Sequence, residues 1–282
     1  MQPSPLRRVL LYVAAIVIAI WTTAPFVWLI ISSLSYKVDL LQRPLRWIPT
    51  RITLENYTDL LVGTGEAAQQ AAQFLAALKS SLIVALGATA ICLVLGTFAG
   101  YALTRLTFPG SRYYLLILMA GQLLPPVTIV IPLYVILRAM DLLDKQLGLV
   151  IVYISFILPL VVWILRGYFA SIPSELEDAA RIDGTTRIGA LFRIVLPLAG
   201  PGLASTAIFA FIAAWNEYLY AFVYSAVDAK TVPVLIGEFS TKLGLEYLRM
   251  AAAGVLAALP PVLLALIFQR FIIRGLTSGA VK

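Results

Sequence analysis

Residues 147–167 read LGLVIVYISFILPLVVWILRG, and a little further on residues 175–197 read ELEDAARIDGTTRIGALFRIVLP. The first stretch carries a single charge, Arg166, near its end. It has the length of about 20 residues that a helix needs to cross a bilayer. The second is a polar island between two such apolar runs. Together they predict a chain that crosses a membrane repeatedly and presents one helical segment outside it.

The rest of the sequence agrees with this reading. Of 282 residues, 61% are hydrophobic and 12% charged, against about 25% charged in an ordinary soluble domain. Inside a bilayer every backbone polar group must be bonded within the protein, which leaves helices or closed barrels. The alternating ten-residue segments of a barrel are absent, so the fold class is an all-α integral membrane protein. Six runs have spanning length: Val9–Leu34, Ser81–Leu103, Tyr113–Leu137, Leu147–Gly167, Leu203–Ala226 and Ala251–Ile273. The first follows Arg7 and Arg8, is too long for a signal-peptide core and has no small-residue cleavage site after it, so it reads as a retained helix.

The net charge of +7 does not point to nucleic acid, because the basic residues sit at the ends of apolar runs, as membrane anchors do. Cys92 is the single cysteine and reads as a small core residue. Histidine, the commonest metal ligand and general base, is absent.

Six spans place both termini on one side. With that side cytoplasmic, eleven basic residues lie inside and ten outside. The short flanks decide better than the raw count. Arg7/Arg8, Arg105/Arg112 and Arg270/Arg274 hug helix ends without acidic neighbours, whereas Asp141, Asp144 and Lys145, or Asp228, Lys230, Glu238 and Lys242, mix their signs. The expected organisation is a tail and first helix over 1–34, an outer loop over 35–80, and a permease core over 81–273. Within that core lie a cytoplasmic loop at 168–196 and an outer loop at 227–250. A cytoplasmic tail covers 274–282.

Pro125, Pro126, Pro132, Pro159, Pro260 and Pro261 fall inside these runs. Each removes a backbone bond and kinks a helix, either to adjust packing or to bend helices around a path. Gly96 and Gly100 form a small-xxx-small step that favours close helix packing.

The loop at 168–196 is the most informative segment. Ser174 followed by Glu177 is a capping box, which predicts a helix start. Glu175, Glu177 and Asp178 suit the first turn, where the helix dipole favours negative charge. Asp183-Gly184 then ends the helix, with Gly184 suited to a left-handed cap. A second amphipathic stretch carries Ile188, Leu191, Phe192 and Ile194 before Pro197. An acidic start suits anionic lipid poorly, and Ala179 and Ala180 leave room for close approach by another protein.

This segment resembles the EAA loop of ABC-importer membrane subunits: E-A-A, three residues, Gly, nine residues, I-x-L-P. Asp178-Ala179-Ala180, Gly184 and Ile194-Val195-Leu196-Pro197 match that spacing, with aspartate where glutamate is usual. Further matches are Trp47-Ile-Pro49, Glu55-Asn-Tyr57, Gly100-Tyr-Ala-Leu103 before Arg105, Ile131-Pro-Leu-Tyr134, Trp215-Asn-Glu217, Gln269-Arg270 and Gly275–Lys282. The chain is similar to the MalG-type permease subunits of carbohydrate ABC importers, and the resemblance spans nearly all of it.

The resemblance implies a type I ABC importer transmembrane domain in a bacterial inner membrane. The helix around Glu177–Asp183 would sit in a cleft of a cytoplasmic ATPase dimer, with Glu177, Asp178, Ala179, Ala180, Asp183, Gly184, Ile194, Leu196 and Pro197 as the coupling set. Closure of the ATPases would switch the cavity between inward- and outward-facing. A second, MalF-like permease subunit would complete the path, and an extracytoplasmic sugar-binding protein would deliver a di- or oligosaccharide, with trehalose or maltose the favoured cargo. ATP and Mg belong to the ATPase; this chain would bind no cofactor and catalyse nothing. Its own sequence agrees, since a P-loop needs Gly-Lys before Ser or Thr and no Gly-Lys pair occurs.

Trp215-Asn216-Glu217-Tyr218 is expected inside the fifth helix, with Tyr220 nearby. A carboxylate at mid-membrane costs about 2.5–3.5 kcal/mol and so faces protein or a watery cavity. Glu217 either accepts bonds from neighbouring helices as a structural or gate residue, the preferred reading, or contacts sugar hydroxyls along the substrate pathway. In that second case Trp215 and Tyr218 would support a sugar ring. Gln122, Tyr153 and Ser155 are weaker lining candidates. The alternative function is a proton-coupled secondary carrier using Glu217, which leaves the EAA loop unexplained. An intramembrane hydrolase lacks a nucleophile–base or metal constellation.

Overall fold

The computed structural model describes residues 5–41, 47–49, 51–65, 67–239 and 247–278. Residues 279–282 of the expected tail and 240–246 of the expected second outer loop lie outside them. Every regular element described is helical. In chain order these are α1 (Pro5–Ser33), α2 (Lys37–Leu41), α3 (Glu55–Leu61), α4 (Ala67–Arg105), α5 (Ser111–Ala120), a 3₁₀ turn (Gly121–Leu123), α6 (Pro126–Ala139), α7 (Gln146–Ser171) and α8 (Glu175–Ile182). There follow α9 (Arg187–Ala190), a π-helical turn (Leu191–Val195), α10 (Leu196–Leu198), α11 (Gly200–Trp215), α12 (Leu219–Tyr224), α13 (Val232–Glu238) and α14 (Tyr247–Ser278).

Among the described residues four helices are long and apolar enough to cross a membrane, and six if each of two bent pairs counts as one span. The expected third helix, Tyr113–Leu137, is not continuous. It breaks between Leu123 and Pro126 with a bend of 96°. Leu124 and Pro125 are both extended, with ψ 125° and 130°, because each precedes a proline whose ring disfavours the α region in its predecessor. Pro126 then starts α6, where its missing N–H costs nothing. The expected fifth helix is also broken: α11 stops at Trp215, and it joins the helix from Arg187 through a bend of 79°. The segment 35–80 is less of a loop than expected, since 67–80 belong to α4. At 39 residues that helix is about 58 Å long, well beyond a hydrocarbon core of about 30 Å.

The chain forms two compact units. The smaller, Met1–Leu75 with Leu235–Ala258, is tied by polar contacts. Asn56 donates to the Ser33 carbonyl at 2.9 Å and Tyr57 pairs with the Ser33 hydroxyl at 2.6 Å, so the Glu55-Asn-Tyr57 motif fastens α3 to the end of α1. Arg249 reaches Asp59 at 3.0 Å and Gln70 at 2.7 Å.

The larger unit, Ala76–Val234 with Leu259–Lys282, holds the main core, built on α7. Leu149, Val152, Tyr153, Ile157, Val161, Leu165 and Phe169 are all buried there, and Cys92 is buried in the same cluster. Gly96 and Gly100 let α4 lie directly on α7. A Cβ at 96 would fall 2.5 Å from Val161 Cγ1, and one at 100 would fall 3.2 Å from the Arg166 nitrogen. Gly96→Leu is therefore expected to force these helices apart at a cost of about 1–3 kcal/mol, read as a lower Tm of the detergent-purified protein.

Candidate functional site

The island at 175–197 folds as two short helices around a glycine. Helix α8 ends where Gly184 takes φ +89°, the left-handed conformation that Asp183-Gly184 predicts, and the Gly184 N–H donates to the Arg181 carbonyl at 3.1 Å. Thr186 caps α9 by accepting from the Gly189 N–H at 3.0 Å. The N-terminus of α8 departs from the expected capping box. Ser174 is already helical, so its side chain makes no cap bond, and Glu177 is engaged elsewhere.

Glu177 is 6% exposed. Its carboxylate accepts from Arg105 Nε at 2.6 Å and from the Tyr101 hydroxyl at 2.7 Å. A second Arg105 nitrogen donates to the Ile172 carbonyl at 2.6 Å, at the corner between α7 and α8. Asp178, by contrast, is exposed and makes a loose contact with Arg181 at 3.4 Å. The two neighbouring carboxylates are thus divided: Glu177 faces the protein and Asp178 faces outward. Glu177, expected in the coupling set, is turned into the protein and bonded to Arg105 and Tyr101. Ala179, Asp183, Gly184 and Pro197 are exposed, while Ala180, Ile194 and Leu196 are half-buried. Leu176 at 45%, Ile182 at 87% and Ile188 at 65% exposed surround Asp178 and Asp183 with apolar surface.

Tyr101 and Arg105 were not legible as partners of Glu177. A signal did exist, since residues four apart on a helix share a face, and a Tyr-xxx-Arg face at a helix end is a ready carboxylate receptor.

Trp215 ends α11, and Asn216, Glu217 and Tyr218 lie in the gap between α11 and α12, not inside a helix. Glu217 bridges that gap: its carboxylate accepts the N–H groups of Tyr220 at 2.8 Å and Ala221 at 3.1 Å, and the Tyr153 hydroxyl at 2.7 Å. It caps α12, accepting from amides that a helix start leaves without partners. Trp215 is 3% exposed and stacked on Phe211; Tyr220 is buried between Phe156 and Tyr224. Neither offers a face to a solute. Asn216 and Tyr218 are exposed, and Tyr218 stacks on exposed Phe222 with ring centroids 5.4 Å apart. Gln122 is exposed but donates to the Phe156 carbonyl at 2.6 Å. Ser155 bonds the Val152 carbonyl of its own helix.

At the other end of α7, Asp144 holds a second clasp that the mixed charges of its loop did not reveal. Its carboxylate accepts from the backbone N–H groups of Ala226, Val227, Asp228 and Ala229 at 2.8–3.1 Å. Burial pushes this carboxyl up, but the four amides outweigh it and hold the group below the usual carboxylate range. The folded state therefore binds fewer protons here than the unfolded one. The clasp is complete above the ordinary Asp value of about 3.9 and is lost as pH falls through the lowered one. Asp144→Asn is expected to lower stability at neutral pH and to flatten the acid limb of a Tm-against-pH curve.

Comparison with known proteins accounts for this arrangement. Residues 92–278 match the family model described as the binding-protein-dependent transport system inner membrane component. The chain is 35% identical to the trehalose/maltose transport system permease protein MalG of Thermococcus litoralis, over 100% of this chain and 99% of that one. It is 39% identical to the trehalose transport system permease protein SugB of Mycobacterium tuberculosis, over 92% of each. In fold it is similar to a crystallised bacterial ABC transporter involved in the import of the acidic polysaccharide alginate, with a TM-score of 0.76 and 20% identity over 96% of this chain and 99% of that one. The chain is a multi-pass membrane protein of the type I ABC importer transmembrane fold, and it belongs to the family of binding-protein-dependent transport system inner membrane components.

Proposed function

We propose that this chain is the permease subunit of an ATP-driven sugar importer, forming half of the translocation path and converting ATPase closure into alternating access. The observation that carries the reading is the outward face of α8. Asp178, Ala179 and Asp183 stand exposed beside Leu176 and Ile182, at the EAA spacing, on a chain that belongs to the family. A small-residue, mixed acidic and apolar helix face suits insertion into a groove of another protein. That partner is a cytoplasmic ABC ATPase dimer, which uses ATP and Mg. Both termini and α8 lie on the cytoplasmic side of a bacterial inner membrane, as the basic flanks indicate.

A MalF-like permease completes the path, and an extracytoplasmic binding protein supplies the sugar. Trehalose or maltose is the favoured cargo, since two relatives that match nearly their full length carry those sugars in their names. Of the expected pathway residues, Asn216, Tyr218 and Gln122 are exposed, and exposed Phe222 adjoins Tyr218. The stacked Tyr218–Phe222 pair suits the apolar face of a sugar ring, and the amides suit its hydroxyls. Glu217 serves as a cap rather than as the proton site of a secondary carrier.

The test is copurification of the tagged chain from native membranes, followed by ATPase assays with trehalose or maltose and the copurifying binding protein. Recovery of an ATPase and a second permease, with hydrolysis stimulated by one sugar, is the expected result. A lone subunit that moves solute on a proton gradient without ATP would overturn the proposal.

A further inference from the structure

We propose that Glu177, Arg105 and Tyr101 form a latch that makes α8 and the adjoining ends of α4 and α7 one moving body. Force applied to α8 then reaches α4 through these side chains. The inference rests on the reading of α8 as the docking element.

Glu177 and Arg105 lie 72 residues apart in sequence and meet at 2.6 Å, so the pair is a tertiary device and not a property of one helix. Arg105 is shared between the α8 carboxylate and the Ile172 carbonyl, which braces the α7–α8 corner while tying it to the last turn of α4. Tyr101, one turn back on the same face, takes the second carboxylate oxygen. Both oxygens of Glu177 are thus held from α4, in a site with side chains only 8% and 15% exposed for Glu177 and Arg105. Charge-assisted bonds of this kind are short and directional, and a buried pair resists separation because each ion would be left without a partner.

The backbone leads from α8 in the other direction by a softer route. It passes through Gly184, where a Cβ would meet nothing within 4 Å, and then through the 79° bend before α11. Glu177, Arg105 and Tyr101 are positioning residues: they touch no substrate and act through α8.

The test uses the intact copurified transporter in a Cys92→Ala background, with spin labels at Glu175→Cys on α8 and Val94→Cys on α4. Their separation is measured by pulsed electron resonance, without nucleotide and with a trapped Mg-bound ATP analogue. With the latch intact the distance is the same in both states. In Glu177→Gln, nucleotide is expected to shift it by about 5 Å, one helical turn, while bound ATPase remains at the level of the intact latch. A purely structural role would lower yield or Tm without making the distance depend on nucleotide. An unchanged distance in Glu177→Gln, or a nucleotide-dependent one with the latch intact, overturns the latch. If Glu177→Gln does not assemble, Arg105→Gln, which removes the ion pair from the α4 side, decides on the same criterion. Absence of any copurifying ATPase would instead strike the underlying reading of α8.

Discussion

A subunit carrying Gly184→Pro is expected to insert at near-normal levels and to lose nearly all uptake. At φ +89° this position lies where an L-residue pays about 1–2 kcal/mol, and proline, fixed near −65°, cannot occupy it at all. Proline also removes the N–H that closes the end of α8 onto the Arg181 carbonyl. Nothing crowds the site, so the damage is confined to the direction in which the chain leaves α8. That direction sets how α8 and α9 present themselves together. A loss of roughly 1.4 kcal/mol in productive docking is tenfold in affinity, and proline is expected to exceed it. Gly184→Asn, which tolerates the left-handed region, should keep most activity. Uptake of labelled trehalose or maltose, normalised to membrane content by immunoblot, reads the effect. Normal uptake in the proline variant would refute it.

Glu217→Ala is expected to strike stability rather than affinity. Removing the carboxylate leaves two amides of α12 and the buried Tyr153 hydroxyl without their acceptor. An unsatisfied buried donor costs about 1–3 kcal/mol, so the three together cost roughly 3–9 kcal/mol. With about 2–4 °C per kcal/mol in a chain of this size, Tm in detergent should fall by at least about 6 °C. Glu217→Gln keeps one acceptor oxygen and should fall between. The sugar KM of whatever fraction assembles should stay unchanged, and the pH profile of uptake should match that of the unmodified chain. A flattened pH profile in Glu217→Gln with Tm intact would instead return Glu217 to the transport path.

The apolar runs made the spans legible, because mean composition over about 20 residues is what a bilayer selects. The α8–Gly184 unit was legible because its acidic first turn and glycine stop are local signals. The helix breaks were harder to see. Pro132 and Pro159 sit inside continuous helices, whereas Pro125-Pro126 ends one, and the difference is that two successive prolines hold two residues extended. The break at Asn216 has no proline; it exists because Glu217 can accept from the amides that a new helix start exposes. That role depends on Tyr153 from α7, a partner no local pattern reveals. The division of labour between Glu177 and Asp178 was hidden for the same reason, since it is settled by Arg105 on a distant helix.

The π-helical turn at Leu191–Val195 sets the rotational phase of everything after it. Such a turn accommodates one residue more than an α-helix would. The nine residues between Gly184 and Ile194 therefore act as a vernier. Deleting one of them would let the turn relax to α geometry and leave Ile194, Leu196 and the start of α11 in nearly the same phase, whereas inserting one more, beyond the residue the turn already absorbs, would rotate them by about 100°. After such an insertion the helix beyond buried Leu191 and Val195 would turn a different face inward. On this view the spacing is an angular constraint with one residue of slack on its short side, which explains how the length of the interval can matter more than the residues that fill it.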